Sequence, residues 1–372
     1  MEEALLGGLS PQAFLRRHWQ KKPLLVRRAL PGFRGVVAKS ALFRLATRTE
    51  IESRLVERRG KRWRVTHGPL DRAGLTRLAR SRTGDWTLLV NGMNCYNDAA
   101  ERLLRRFSFI PQARLDDVMV SYAAPGGGVG PHFDSYDVFL LQGQGRRRWR
   151  LARAREFALV PGAPLKLING FKAEEEIVAE PGDLLYLPPG WGHDGVALDE
   201  CMTCSIGFRA PRGAELGAAF LDYLHERGLP DALYRDPGLR ATRHPGRIGG
   251  DMLSFAGKTL ARISWGAADV RELVGRHLST PKPNIVFRGS AKRILNISGL
   301  VAILDAKTQF LYLRSRFFIN GESFAVRPAQ RHALAELADR RSAPGRRLAR
   351  AGLERLILQW HRNGYLRLES AP

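Results

Sequence analysis

Between residues 116 and 209 the chain is cut into short runs of apolar or alternating residues: "DVMVSYA", "YDVFLLQ", "RRRWRL", "DLLYLP" and "MTCSIGF". Glycine- and proline-rich punctuation separates them, "PGGGVGP", "GQG", "EPGD" and "PPGWG". Closely spaced short strands with such turns predict a β-sandwich or barrel.

The flanks read differently. Ser10 and Pro11 have the chemistry of a helix start, Pro23 closes that helix, and "LLV" follows as a short strand. Residues 30 to 115 mix helical and strand patterns and carry no legible chemistry. Residues 212 to 278 are helical, with an amphipathic "AELGAAFLDYLHERG" ended at Gly228, and "STPKPN" is a linker. The last segment runs roughly strand, strand, helix, helix, strand, with Asn320-Gly321 as a hairpin turn. Helices beside a small β-wing predict a winged-helix-like module.

The 372 residues carry 60 Lys and Arg against 36 Asp and Glu, a formal charge of +24. Segment 282 to 372 holds 17 basic and 6 acidic residues, denser in charge than the rest. Such a surface predicts anionic partners: nucleic acid, a nucleoprotein particle or an acidic membrane. No run of 18 apolar residues exists, so no membrane-spanning helix is expected. "MEEALLGGLS" has no basic region typical of a signal peptide. Cys95, Cys201 and Cys204 form no disulfide framework, which fits the reducing cytoplasm. Cys201 and Cys204, three apart in a strand, point to opposite faces and are structural.

The chemistry concentrates in "PHFDSYDVFLLQGQGRRRWRL". Residues two apart in a strand share a face, so His132 and Asp134 project together from the start of "FDSYDVFLLQ", with Tyr136 and Val138 in the same parity. His193 follows 59 residues after Asp134, beyond a strand ended by a Pro/Gly turn. Two histidines and a carboxylate are the facial triad of non-haem Fe(II) oxygenases, which leaves three coordination positions open. Each piece alone is ordinary: His-x-Asp is usually a solvated turn, and a lone histidine a loop residue. Their joint occurrence beside turns of one β-rich region favours a metal site. Zinc remains a chemical alternative, since its catalytic sites also use two histidines and a carboxylate.

"RRRWRL" also sorts by parity. Arg146, Arg148 and Arg150 share one face; Arg147, Trp149 and Leu151 share the apolar one. Arg147 is therefore an arginine on a buried face, where an unpaired charge is costly. An internal Asp or Glu is the bland partner. The functional one is the far carboxylate of 2-oxoglutarate, which a guanidinium fork fits in bidentate fashion. Ser121 and Thr203 are further hydroxyl donors to the same ligand, although each can equally be satisfied within its sheet.

Together, "HWQKKPLLV", "PGGGVGPHFDSYDVFLLQGQGRRRWRL", "EPGDLLYLPPGWGH" and "SIGFRAP" resemble the Jumonji-C ribosomal oxygenases, most of all the bacterial branch that hydroxylates an arginine of large-subunit ribosomal protein number sixteen. The resemblance implies a mainly β protein with helices: a double-stranded β-helix over 1–211, a helical dimerisation region over 212–280 and a winged helix over 281–372. It implies Fe(II) on His132, Asp134 and His193, and 2-oxoglutarate on Arg147 and Ser121, with O₂ as oxidant. It implies a ribosomal-protein substrate and a homodimer. A cationic arginine substrate needs acceptors, and Asp117 and Asp137 are the candidates, with the Tyr136 ring as support.

Two other readings compete. One is a basic nucleic-acid-binding protein with an inactive cupin, favoured by the charge. The other is a cupin dioxygenase of small molecules that does not use 2-oxoglutarate, which Arg147 argues against. Histone demethylation, open to the same fold, would be accompanied by accessory chromatin modules that the chain lacks.

Overall fold

A computed structural model describes residues 2–80, 84–153, 157–292 and 294–370. Its elements begin with helices Glu2–Leu5 (α1) and Pro11–Arg17 (α2), strand Leu24–Val26 (β1) and helix Lys39–Leu45 (α3). A hairpin of Ser53–Arg59 (β2) and Arg62–His67 (β3) leads to Arg72–Arg80 (α4), Trp86–Val90 (β4) and Asp98–Arg105 (α5). Then come Leu115–Ala123 (β5), His132–Phe133 (β6), Val138–Gln144 (β7), Arg147–Arg153 (β8), Glu175–Ala179 (β9), Leu184–Leu187 (β10), Trp191–Ala197 (β11) and Cys201–Phe208 (β12). Three helices follow, Gly213–Arg227 (α6), Gly250–Leu260 (α7) and Ala267–Ser279 (α8).

Strands β1 to β12 form a jelly roll. An eight-stranded sheet in the order β1-β10-β7-β12-β5-β4-β2-β3 faces a four-stranded sheet in the order β6-β11-β8-β9. Val138 and Leu140 of the large sheet pack with Trp149, Leu151 and Ile177 of the small one, an apolar layer between the sheets. The outer face of the large sheet is covered by the N-terminal helices through Leu6, Phe14, Leu42 and Leu103. Ser10 caps α2 by accepting the Ala13 N–H at 3.2 Å, as the helix start requires. Residues 30 to 115 thus extend the large sheet. Their strand signal is hidden because β4 is buried along its whole length and loses the period of two.

The expected single strand "FDSYDVFLLQ" is divided. His132 lies on β6 in the small sheet, β7 belongs to the large sheet, and residues 134 to 137 bend between them. A chain crossing from one layer of a sandwich to the other must leave its ladder. Asp134 is therefore on the bend, not on a strand.

The closing unit contains Leu300–Leu304 (β13), Phe310–Tyr312 (β14), Arg316–Ile319 (β15), Glu322–Ala325 (β16), Pro328–Arg340 (α9), Ser342–Pro344 (β17), Gly345–Arg350 (α10), Glu354–Asn363 (α11) and Leu366–Ser370 (β18). Its own core includes Phe310, Leu334, Ile357 and Trp360. Asn320, at a φ of 51°, and Gly321 turn β15 into β16. Contacts to the jelly roll include Gln112 to Gln309 at 3.4 Å and the Arg341 to Glu101 ion pair at 3.6 Å. No helix among the described residues is long and apolar enough to cross a membrane.

Candidate metal centre

β6 and β11 are antiparallel neighbours, with His132 opposite His193. The two imidazoles therefore leave adjacent strands on one face, their centroids 4.2 Å apart. Asp134 follows on the bend, where its carbonyl accepts the Gly190 N–H at 2.8 Å, and its Oδ2 lies 3.8 Å from His193 Nε2. One donor atom from each of the three lies within 4.8 Å of the others.

The backbone sets the tautomers. His132 Nδ1 is 2.9 Å from the Gly130 carbonyl and His193 Nδ1 is 3.0 Å from the Trp191 carbonyl. A carbonyl only accepts, so each Nδ1 carries the proton and each Nε2 keeps its lone pair for a metal, an assignment made from the hydrogen-bond network. Burial, then the neighbouring His132, lowers His193 to about 4. It is neutral at physiological pH, the form a metal binds. Two nitrogens and a carboxylate oxygen on the wall of an open cavity suit Fe(II), and equally Zn(II).

That cavity, about 450 Å³, lies between the two sheets. Arg147 forms part of its wall and is only 4% exposed. Its Nε reaches Cys201 Sγ at 3.4 Å, its Cζ lies 5.5 Å from the Trp149 ring, and its buried Nη2 has no hydrogen-bond partner among the described residues. No Asp or Glu among the described residues pairs with it, so the bland alternative of an internal carboxylate is not realised. A buried, unsaturated guanidinium facing a cavity is a receptor for an anion. Both halves of the arrangement, metal donors and anion receptor, open on one space, which fits a metal bound together with an oxo-acid.

The hydroxyls differ. Thr203 lines the cavity, and its hydroxyl donates to Gln142 Oε1 at 2.9 Å. Ser121 reaches only the Thr203 carbonyl, at 3.5 Å, and lines the cavity with a proton that can be redirected.

The three substrate candidates also separate. Tyr136 and Asp117 line the cavity. Asp117 accepts the Gly92 N–H at 2.8 Å and lies 3.3 Å from Lys282 Nζ; burial raises its pKa, and Lys282 opposes the rise. Asp137 does not reach the cavity, and its role as substrate acceptor is corrected. It is fully buried on the other side of the bend, where it accepts from Tyr186 Oη at 2.6 Å, Gln20 Nε2 at 3.0 Å and Arg114 Nη2 at 3.4 Å. Asp137 is the last residue of the bend, and its carboxylate turns toward Tyr186, Gln20 and Arg114 rather than the cavity.

Sequence reasoning missed Arg54, Asn91, Asp116, Lys166 and Lys282, which share the cavity wall. They arrive from β2, from the loop after β4, from the start of β5, from the loop before β9 and from the linker after α8. A larger cavity, about 650 Å³, lies where α8 meets the closing unit. It is lined mainly by apolar residues such as Val274, Leu278, Phe310 and Phe318 and contains none of the metal donors.

Two family descriptions match the chain, a JmjC domain over residues 102–216 and a ROXA-like winged helix over 265–367. Ribosomal protein uL16 3-hydroxylase of Escherichia coli (strain K12) is 41% identical over 239 residues, 63% of this chain and 62% of that protein. A probable ribosomal oxygenase of Haemophilus influenzae is 38% identical over 213 residues, 56% of this chain and 52% of that protein. These alignments thus span roughly half to six-tenths of the curated relatives' length. An X-ray structure of E. coli ycfD superposes with a TM-score of 0.81 at 30% identity, covering 97% of this chain and 98% of that one. A structure of the E. coli ribosomal oxygenase YcfD in complex with cobalt and 2-oxoglutarate gives 0.80 at 30% identity, covering 97% and 99%.

Proposed function

Because this chain belongs to the Jumonji-C ribosomal oxygenases, we propose that it is an Fe(II)- and 2-oxoglutarate-dependent hydroxylase acting on the β-carbon of an arginine of ribosomal protein uL16. One observation carries the reading. A His132, Asp134 and His193 donor set and an unsatisfied Arg147 guanidinium face the same cavity. A zinc cupin needs the first feature but has no use for the second, and an inactive cupin needs neither.

In this reading His132, Asp134 and His193 hold the iron, and Arg147 and Ser121 hold the far carboxylate of 2-oxoglutarate. Iron with 2-oxoglutarate and O₂ supplies the oxidation of an unactivated C–H bond. The remaining work belongs to the chain. Arg147 fixes the direction of the oxo-acid by a two-point contact. Asp117 accepts the substrate guanidinium, and the Tyr136 ring supports its plane. The sheet walls, Val138, Leu140 and Trp149, keep the reacting carbon in an apolar setting.

The domain division follows the same lines: 1–211 catalytic, 212–280 for dimerisation, 281–372 a winged helix. Support for the dimer comes from the middle region, where Leu221, Leu233, Leu253, Leu260 and Trp265 are exposed on or beside α6 and α7. Apolar side chains in that number on one region mark an interface. We place the protein in the cytoplasm, where ribosomal proteins are made. A transient contact with ribosomal RNA is supported by the β2–β3 hairpin and α4. Residues 54 to 80 hold nine Arg and Lys against Glu57 and Asp71, and Arg54 lines the cavity itself.

The test is turnover of 2-oxoglutarate to succinate with Fe(II) and ascorbate, with and without uL16-derived peptides. Peptide-dependent succinate, with a product one oxygen heavier, is the expected result. Turnover that no ribosomal peptide stimulates would discard the substrate and keep the site. No turnover by protein that fails to hold a divalent metal would discard both.

A further inference from the structure

Lys282 comes from the linker between α8 and the winged helix, yet its side chain lines the cavity of the metal donors. Its ammonium lies 3.1 Å from Asp116 Oδ1 and 3.3 Å from Asp117 Oδ2. Beside them, the buried Oδ1 of Asn91 has no hydrogen-bond partner among the described residues and faces the same space. This wall therefore offers three acceptors; Lys282 is the cation on Asp117, while Asp116 is shared with Arg209 at 3.6 Å. The backbone there is stiffened by Pro281 and Pro283 on either side, while the lysine stem remains flexible and 37% exposed.

We propose that Lys282 is an internal stand-in for the cationic side chain of the substrate: it neutralises Asp117 in the free enzyme and is displaced into solvent by the incoming guanidinium, while Asp116 keeps its pairing with Arg209. The proposal rests on the reading of Asp117 as the substrate acceptor. Asp117 pairs with no cation but Lys282 among the described residues, and a second cation at contact distance there would meet strong repulsion from the ammonium. A guanidinium has the better claim, because its planar fork engages two oxygens at once and has donors left for Asn91 Oδ1, whereas an ammonium is a point charge. The exchange never leaves a buried carboxylate uncompensated, a state that is strongly destabilising. It also makes recognition a difference between two cations. A neutral side chain cannot evict Lys282, and a substrate lysine gains nothing over it.

The experiment measures binding to the full chain, loaded with Co(II) and 2-oxoglutarate under nitrogen, by calorimetry. The probes are a uL16-derived peptide and the same peptide with citrulline, a neutral isostere, in place of arginine. Lys282→Met should bind the arginine peptide about two- to fivefold more tightly than the natural chain, the range of a partly exposed ion pair. The citrulline peptide should gain less than the arginine peptide, and adding Asp117→Asn should remove the arginine gain. Equal or weaker binding by a Lys282→Met protein of unchanged melting temperature overturns the proposal, as does failure of both proteins to bind the arginine peptide. Should Lys282→Met not fold, Lys282→Arg decides: a persistent fork on Asp117 must weaken peptide binding, and unchanged binding overturns the idea. A binding gain without any hydroxylation would sink the reaction assigned above and leave the displaced cation standing. Hydroxylation without a gain would do the reverse.

Discussion

Replacing Arg147 by methionine should separate stability from cosubstrate binding in an unusual direction. Most buried arginines are held by carboxylates, so truncating them leaves a partner charge stranded. Arg147 has only a 3.4 Å contact to Cys201 Sγ, the Trp149 ring and an unsatisfied Nη2. Methionine has similar reach, removes a charge that is costly to bury, and strands no carboxylate. The melting temperature should hold or rise. Affinity for 2-oxoglutarate should collapse, because its far carboxylate would then be buried without its cation. Truncating one side of such a pair costs about 2–5 kcal/mol, or about thirtyfold to several thousandfold in affinity. Calorimetric titration of Co(II)-loaded protein with 2-oxoglutarate reads the second effect, and thermal unfolding the first. Co(II) binding itself should be unchanged. A melting point lowered by several degrees with 2-oxoglutarate affinity intact would refute the reasoning, since Arg147 would then be a structural ion.

Other outcomes follow from the same geometry. Asp117→Ala should raise the KM for peptide while leaving peptide-independent 2-oxoglutarate turnover in place; unchanged peptide hydroxylation would remove Asp117 from the site. Asp137→Ala should do the opposite, costing about 3–5 kcal/mol of stability in chemical denaturation because Tyr186, Gln20 and Arg114 lose their acceptor, with no change in peptide KM among the molecules that fold. Gly195→Ala would bring a methyl group 2.4 Å from Trp149 Cζ3, so the ring must move off the cavity wall; a loss of about 1–3 kcal/mol is expected, measurable by the same unfolding curve. His193→Ala and Asp134→Ala should each abolish tight Co(II) binding, read by the visible absorption of the bound ion.

The parts of the site most legible in the sequence lie on regular strands. Arg147, Trp149 and Leu151 alternate inward along β8 as the parity of "RRRWRL" dictates, and the burial of Arg147 follows from its neighbours. The His132 and Asp134 pair was found for a partly wrong reason. The two residues converge because β6 ends and the chain bends toward the other sheet, and not because a strand continues through them. Thr203 shows a different limit, since its hydroxyl is on the cavity side and donates to Gln142, a partner 61 positions away. Lys282, Asn91 and Arg54 were invisible because no local pattern marks them. They reach the cavity only through the packing of the linker, the loop after β4 and β2 around the large sheet. The winged helix was legible from its Asn-Gly turn and its helices, whereas the sheet role of residues 30 to 115 was masked by the full burial of β4.

The most direct measurement of the central claim is the intact mass of uL16 coproduced in cells with this chain or with its Asp134→Ala form. The site described here predicts one added oxygen on a single arginine with the natural chain and none with the variant. Identical masses in the two samples, with both chains folded and expressed, would contradict it.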